Sequence, residues 1–426
     1  MDEKKRISHT LYVTIAVLLI SSVLGSYSIY SSLNQWLFYV IVTIALAIGM
    51  ILCRKDVRRV TIKQMSVLLF FCSAVCMLLI FGSNYTDLTF IVLALLFVLF
   101  YIFISAYIKS NGIFHIFSTF EEVVFWLALV SLAGYLLCTI LKIIPAIGYL
   151  SSESISWAGY DYKNWGIYFE GQYTGFFGRS IMRNIGVFVE GPVFACLLTE
   201  ALFAEIFVCR KGRGRKLIFF VTMLTTFSTT ALSIGLILIF LDFYNRRLKH
   251  KKLIIIAPIV AIMVLIIAFL IIYDKLFTGN VSGSIRLDDI YACFKSWMHS
   301  PIIGNGFMNV RALDPYRSDW RGIAAGNSCG IGAVLSDGGI ILGSWYCIPA
   351  FYATYKFCRN KNEEIRKYYA WIILVFVIIF IMIIHYTIIG MMLMAINWII
   401  VTLPPNVLQG GKKSQNGSVQ MLKKPI

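Results

Sequence analysis

Apolar residues run through this chain in stretches of roughly 17–25, the length at which an α-helix with all its backbone bonds internal crosses the hydrocarbon core of a bilayer. Short polar segments punctuate them, and single spans are expected near residues 11–30, 33–53, 64–82, 87–108, 119–141, 186–209, 253–273 and 333–355. Two further stretches do not fit one crossing. Leu217 to Asn245 lies between the basic clusters RKGRGRK (Arg210 to Lys216) and RRLKHKK (Arg246 to Lys252) and has a polar centre, TTFSTTALS, from Thr225 to Ser233. If both clusters lie on one side, the segment crosses out and back as a helical hairpin whose hydroxyl-rich tip is buried in protein. The alternative is one span with its Ser and Thr bonded within the helix. Tyr368 to Leu403 is also too long for one span and is expected to turn near His385–Thr387. The expected fold is therefore an all-α polytopic membrane protein, a single integral membrane domain over 1–426 with about 12 transmembrane helices.

Composition agrees with this pattern. Only 14% of the 426 residues are charged and the mean hydropathy is +0.79, which excludes an ordinary soluble domain, where about a quarter of residues are charged. The net charge of +17 does not signal nucleic acid, because the lysines and arginines cluster in short linkers between spans, the positive-inside pattern. Arg54 to Lys63, the two clusters named above, Lys356 to Lys367 and the basic tail over 404–426 are all expected in the cytoplasm, with both termini. Lys4, Lys5 and Arg6 precede the first apolar stretch, but no small-residue cleavage pattern follows it, so it is read as a retained span and not a signal peptide. The ten cysteines show neither metal spacing nor a disulfide framework. Only Cys293 and Cys329 fall in an outer segment, where a disulfide could join them.

Two long segments, 142–185 and 274–332, are expected on the outer face. The first carries Trp157, Tyr160, Tyr162, Trp165, Tyr168, Tyr173, Phe176 and Phe177 among polar residues. Such rings can stack on sugars or sit at the headgroup level as an aromatic belt. The second carries Arg286, Arg311, Arg317 and Arg321, against the positive-inside bias. Guanidinium forks bind phosphate in a bidentate way and keep their charge, which fits a pyrophosphate-bearing substrate; Asp288, Asp289, Asp314 and Asp319 are equally available as plain ion-pair partners. At the mouth of the sixth span and within it stand Arg183, Glu190, Glu200 and Glu205. Ionised groups persist there only where a partner or a water-filled cavity receives them. Glu190 follows Arg183 by two helical turns, so an early helix start would put both on one face, as a catalytic pair or as a structural ion pair. Glu205 is expected to pair with RKGRGRK, Glu200 to bond to a neighbouring span, and Glu121 and Glu122 to anchor an interface.

These pieces together resemble the O-antigen ligase/polymerase superfamily, the Wzy-like polymerases of capsular and other surface polysaccharides. The matching residues are Arg183, Gly186, Phe188 and Glu190 with Pro192 opening a span, Ser228–Thr229–Thr230 in the hairpin, Arg286 before Trp297 and Pro301 to Gly306, and Asn327–Ser328 followed by Asp337–Gly338–Gly339. The resemblance implies a GT-C-like, inverting, metal-independent glycosyltransferase without cofactor. It would transfer a growing glycan from undecaprenyl-pyrophosphate to a lipid-linked repeat unit on the outer face of the bacterial plasma membrane, with a chain-length regulator as a further partner. In ligases a His precedes the position of Asn327; here it is Gly326, which disfavours a ligase. With no DxD-like or His-cluster metal site in the outer segments, arginines must supply the charge that a metal otherwise would. The expected catalytic residues are Arg183, Arg286 and Glu190. Arg179, Arg321, Asn327, Ser328, Trp165 and Tyr173 are expected to bind substrate, while His299 and Asp337 are weaker candidates for the base. A lipid-linked oligosaccharide flippase is the rival class; it would place ionisable residues along a path through mid-membrane and would not need outer arginines. No internal repeat supports a duplicated transporter.

Overall fold

The computed structural model describes residues 3–81, 88–151, 155, 161–176, 179–247, 281–321, 327–382 and 384–409. The expected span at 253–273, position 326 and the end of the tail lie outside these residues. The framework is helical: α1 (Glu3–Leu24), α2 (Gln35–Leu52), α3 (Ile62–Phe81), α4 (Leu88–Asn111), α5 (Phe114–Gly134, continued by the π-turn Tyr135–Ile140) and α6 (Gly191–Phe203, continued by the π-turn Ala204–Cys209). There follow α7 (Arg213–Thr225), α8 (Thr229–Arg247), α9 (Val281–His299), α10 (Gly330–Arg359), α11 (Glu363–Ile381) and α12 (Ile388–Thr402). Among the described residues six helices are long and apolar enough to cross a membrane, and the chain is a membrane-embedded protein. The most enclosed of them is α6, whose thirteen residues are all buried, as a central helix of a bundle must be when lipid touches only the outer ones.

Both expected hairpins are present. The chain reverses between α7 and α8 at Thr226–Ser228, with Thr226 and Ser228 buried and Phe227 in the left-handed region (φ 51). The tip satisfies itself locally: Thr225 and Thr226 donate to the Thr222 and Met223 carbonyls, each at 2.7 Å. The second reversal falls between α11 and α12, where the Thr387 hydroxyl accepts from Gly390 N–H at 3.1 Å.

The described parts of the two long segments lie at one end of the bundle, and neither is a plain loop. The first folds into two small antiparallel sheets. One joins β1 (Gly148–Leu150), β2 (Tyr162–Asn164) and β3 (Phe169–Glu170); the other joins β4 (Tyr173–Phe176) and β5 (Arg179–Met182), with Tyr173 opposite Met182. The second is dominated by α9. Residues 300–309 then wrap over a kink in α10 at Gly339, whose φ is 57°. A Cβ there would lie 2.3 Å from the Ile302 carbonyl oxygen, so backbone conformation and backbone contact both require glycine. Gly339→Ala is expected to lower the thermal midpoint of the purified protein by several degrees, at about 1–3 kcal/mol for a strained position, while the exposed Ile340→Ala leaves it nearly unchanged.

The other end of the bundle is basic and anchored. Arg215 donates to both Glu121 oxygens at 3.0 Å and pairs with Glu122 at 3.0 Å, and Lys211 pairs with Glu122 at 2.7 Å. Glu121 and Glu122 are thus held by the basic cluster in ion pairs. Glu205 meets the cluster through its backbone, its carboxylate accepting from the Gly212 N–H at 2.7 Å.

Candidate functional site

Arg183 and Glu190 are brought together by a folded turn, not by a helix. Residues 183–190 are irregular and α6 starts only at Gly191 with Glu190 at its N-cap, which corrects the expectation of a shared helical face. The cause is Gly186, at φ 59° with its α-carbon against Ser131: a Cβ would sit 3.2 Å from the Ser131 hydroxyl. Val187 and Val189 are held instead by backbone bonds to Ile29 and Tyr27, at 2.9 and 3.0 Å. The Tyr162 hydroxyl donates to the Val189 carbonyl at 2.9 Å, fixing the residue before Glu190.

Two residues with no assigned role in the sequence organise this turn. Asn184 receives the Ser131 hydroxyl at 2.5 Å on its side-chain oxygen, and its amide donates to Thr225 Oγ1 at 2.9 Å. It thereby ties α5 and the α7–α8 hairpin tip to the loop. Gln172 accepts the Gly191 N–H at 2.9 Å on its side chain and the Arg183 N–H at 2.8 Å on its carbonyl.

Arg183 reaches Thr174 Oγ1 at 3.0 Å through Nη2, and its buried Nε has no hydrogen-bond partner among the described residues. Burial pushes its pKa down; Glu190 opposes the shift and the positive charge of Arg286 adds to it. Arg183 and Arg286, from segments a hundred residues apart in sequence, therefore lie within each other's field, with Glu190 in the same neighbourhood. The side-chain hydrogen-bond partner found for Arg286 among the described residues is a weak one, Met382 Sδ at 4.0 Å. Arg179 begins β5, but its side chain lies outside the described residues.

Arg321, Asn327 and Ser328, expected to bind substrate, have their polar atoms engaged in clamping α9 to the start of α10. Arg321 pairs with Asp288 at 3.3 Å and closely with Asp289. Ser328 donates to Asp289 Oδ2 from its N–H at 2.7 Å and its hydroxyl at 2.6 Å. Asn327 donates to Cys293 Sγ at 3.2 Å and accepts the Cys329 N–H at 2.9 Å. The open choice between phosphate ligand and loop ion pair thus falls, for Arg321, on the ion pair; Arg317 likewise pairs with Asp314 at 2.8 Å. Asp289 stands one turn from Arg286 on α9, so the clamp sets where Arg286 sits. Cys293 and Cys329 are adjacent free thiols that hydrogen-bond to each other.

Removing the Asp289 carboxylate would take from Ser328 the acceptor of its N–H and hydroxyl and from Arg321 the closer of its two buried carboxylates, leaving Asp288. Asp289→Asn is expected to cost on the order of 2 kcal/mol, read as a lowered thermal midpoint. Burial works against ionisation of Asp288, but bonds from the Ser318 hydroxyl and N–H and from Arg321 outweigh it and hold this carboxyl below its usual value. A depressed carboxyl stabilises the fold above its unfolded pKa and loses that contribution as the pH falls through the folded value. The clamp is therefore expected to weaken below about pH 4 and to be insensitive to pH above neutrality, as measured by the pH dependence of the midpoint in wild type against Asp288→Asn.

Trp165 and Tyr173 lie on the first segment. The Trp165 indole N–H donates to the Ile144 carbonyl at 3.0 Å, and its ring packs with Tyr135, Cys138 and Tyr168 in a small cluster of their own. Tyr173 is exposed on β4, next to Thr174, the partner of Arg183. Asp337 accepts the Met308 N–H at 3.0 Å and so pins the second segment over the kink, and His299 is exposed at the end of α9. Glu200 does not bond to a neighbouring span: both oxygens are buried and have no hydrogen-bond partner among the described residues. It lines a narrow crevice with Ser26, Tyr27, Cys196 and Ile384.

No protein-family model matches the chain, and no curated protein matches it in sequence.

Proposed function

We propose that this chain is a surface-polysaccharide polymerase of the bacterial plasma membrane. It transfers a growing glycan from undecaprenyl-pyrophosphate to a lipid-linked repeat unit by an inverting, metal-independent, GT-C-like reaction. The observation that carries this reading is the pairing of two guanidiniums, Arg183 and Arg286, within each other's field and beside the carboxyl of Glu190, with no ion pair found for either among the described residues. Like charges brought together in a partly desolvated place favour an anion between them, and a diphosphate matches two forked donors.

In the reaction, a hydroxyl of the repeat unit attacks the anomeric carbon as the bond from that carbon to the diphosphate oxygen breaks. The electron pair leaves with the diphosphate, whose growing charge Arg183 and Arg286 stabilise. The hydroxyl proton passes to Glu190. Arg179 assists at the diphosphate, Tyr173 offers a sugar-stacking face, and the Asp289–Arg321–Ser328 clamp positions Arg286.

One observation favours a second reading. Glu200, ten residues into α6 and facing a crevice with no hydrogen-bond partner among the described residues, is the kind of mid-span ionisable group that a translocator of lipid-linked oligosaccharide uses. A single assay separates the two. Purified protein in vesicles, given undecaprenyl-pyrophosphate-linked repeat units and EDTA, should produce a ladder of lengthened glycans. Translocation of the lipid without lengthening would replace the polymerase by the flippase, and a ladder that EDTA abolishes and magnesium restores would overturn metal independence.

A further inference from the structure

We propose that residues 141–149, together with Ile167, form an interfacial anchor: their aliphatic side chains insert into the acyl boundary of the leaflet at the site's end of the bundle. This inference is independent of the reaction assigned above. Its first support is continuity. On α5 the exposed positions Trp126, Val130, Ala133, Leu136 and Ile140 recur every three or four residues and form one stripe, while Ala128, Ser131, Tyr135 and Cys138 between them are buried. A stripe of this kind on a membrane helix faces lipid. The exposed apolar surface does not end with the helix: Leu141, Ile143 (65%), Ile147 (79%) and Tyr149 (69%) continue it, and Ile167 (64%) joins from the β2–β3 turn.

Depth is the second support. The ion pairs of Glu121 and Glu122 with Lys211 and Arg215 mark the basic boundary of the bundle. Eighteen residues separate Glu122 from Ile140, a rise of about 27 Å at 1.5 Å per residue, close to the roughly 30 Å of hydrocarbon in a bilayer. Ile140 thus reaches the opposite boundary, and the residues after it lie at that level instead of in bulk water.

The third support is that the patch is built. Ile143 N–H bonds to the Leu137 carbonyl at 2.9 Å, Ile147 N–H to the Asn164 carbonyl at 2.9 Å, and the Trp165 indole to the Ile144 carbonyl at 3.0 Å. These bonds hold the segment in shape while Ile143 and Ile147 stay exposed, as an element lying in the interface requires. Lys142, exposed at the end of α5, stands where a headgroup phosphate would meet it. An outward aliphatic cluster of this kind on a water-exposed loop would be a liability.

The test places the photoreactive residue p-benzoylphenylalanine at Ile147, and separately at Ile167 in case one position impairs folding, in full-length protein reconstituted into bilayers of phosphatidylethanolamine and phosphatidylglycerol. Illumination is expected to add the mass of one phospholipid to the peptide bearing the probe, as at the lipid-facing Ile44 control on α2, and to leave Asp314 on the second segment without a lipid adduct. Absence of the lipid adduct at both positions while Ile44 gives one would overturn the proposal. So would a cross-linked dimer, which assigns the patch to a second copy, or displacement of the phospholipid adduct by added undecaprenyl phosphate, which assigns it to the substrate's chain.

Discussion

Arg183→Ala and Arg286→Ala are each expected to lower the rate of glycan lengthening by at least about a hundred-fold, the loss seen when one preorganised donor to a developing negative charge is removed. Both should also weaken binding of the lipid diphosphate, since the same guanidiniums meet the ground-state anion. The lysine replacements should recover little. Lysine keeps the charge but not the planar fork, and Arg183 already uses one arm of its fork on Thr174 at 3.0 Å. A structural role alone would give a different pattern, with a thermal midpoint lowered in the absence of substrate in step with the loss of lengthening. Radiolabelled chain-length ladders together with midpoints of the same preparations distinguish the two.

Glu190→Gln is expected to lower turnover by about a hundred-fold to ten-thousand-fold, the range for removal of a positioned general base, while diphosphate binding stays near the wild-type level. The contrast comes from the roles: the carboxyl acts on the acceptor hydroxyl, the guanidiniums on the leaving group. A split in which KM for the donor is kept and kcat falls is the expected signature. Glu200→Gln, which changes a carboxyl that holds no hydrogen-bond partner among the described residues, should leave lengthening largely intact. If Glu200→Gln instead removes lengthening and Glu190→Gln does not, the base has been assigned to the wrong carboxyl of α6.

The parts of the fold that were legible in the sequence are those set by hydrophobic length and charge. The α7–α8 reversal could be read because two basic clusters flank a segment too long for one crossing, and its hydroxyl-rich centre can satisfy its own backbone, as Thr225 and Thr226 do at 2.7 Å. The small sheets of the first long segment were not legible. Their strands are two to four residues long, too short for a period to show. The start of α6 was placed too early because the apolar run Ile185–Val189 reads as helix, whereas Gly186 turns the chain and the two valines pair with residues 27–29.

The site was legible as residue types and not as partnerships. Arg321 and Arg286 look alike in sequence, yet Arg321 is held by Asp288 and Asp289 while Arg286 has a methionine sulfur as its found partner. Only folding decides which cation keeps an anion. One available signal was missed: Arg286, Asp289, Cys293 and Ser296 recur at three- and four-residue spacing, the period of a helix packing one face. That helix is α9, and Asp289, Cys293 and Ser296 are buried. Asn184 and Gln172 carried no pattern, since a bridging amide is defined by what it touches.

The central claim is that Arg183 and Arg286 hold one diphosphate between them, and a double-mutant cycle on binding tests it most directly. Undecaprenyl pyrophosphate is titrated into purified wild type, Arg183→Ala, Arg286→Ala and the double variant, and the four dissociation constants are compared. Groups that share one ligand are coupled, so either single change should remove most of the binding and the double variant should be little worse than the singles. Losses that simply add, or a single variant that binds as wild type does, would show that the two arginines do not serve the same anion.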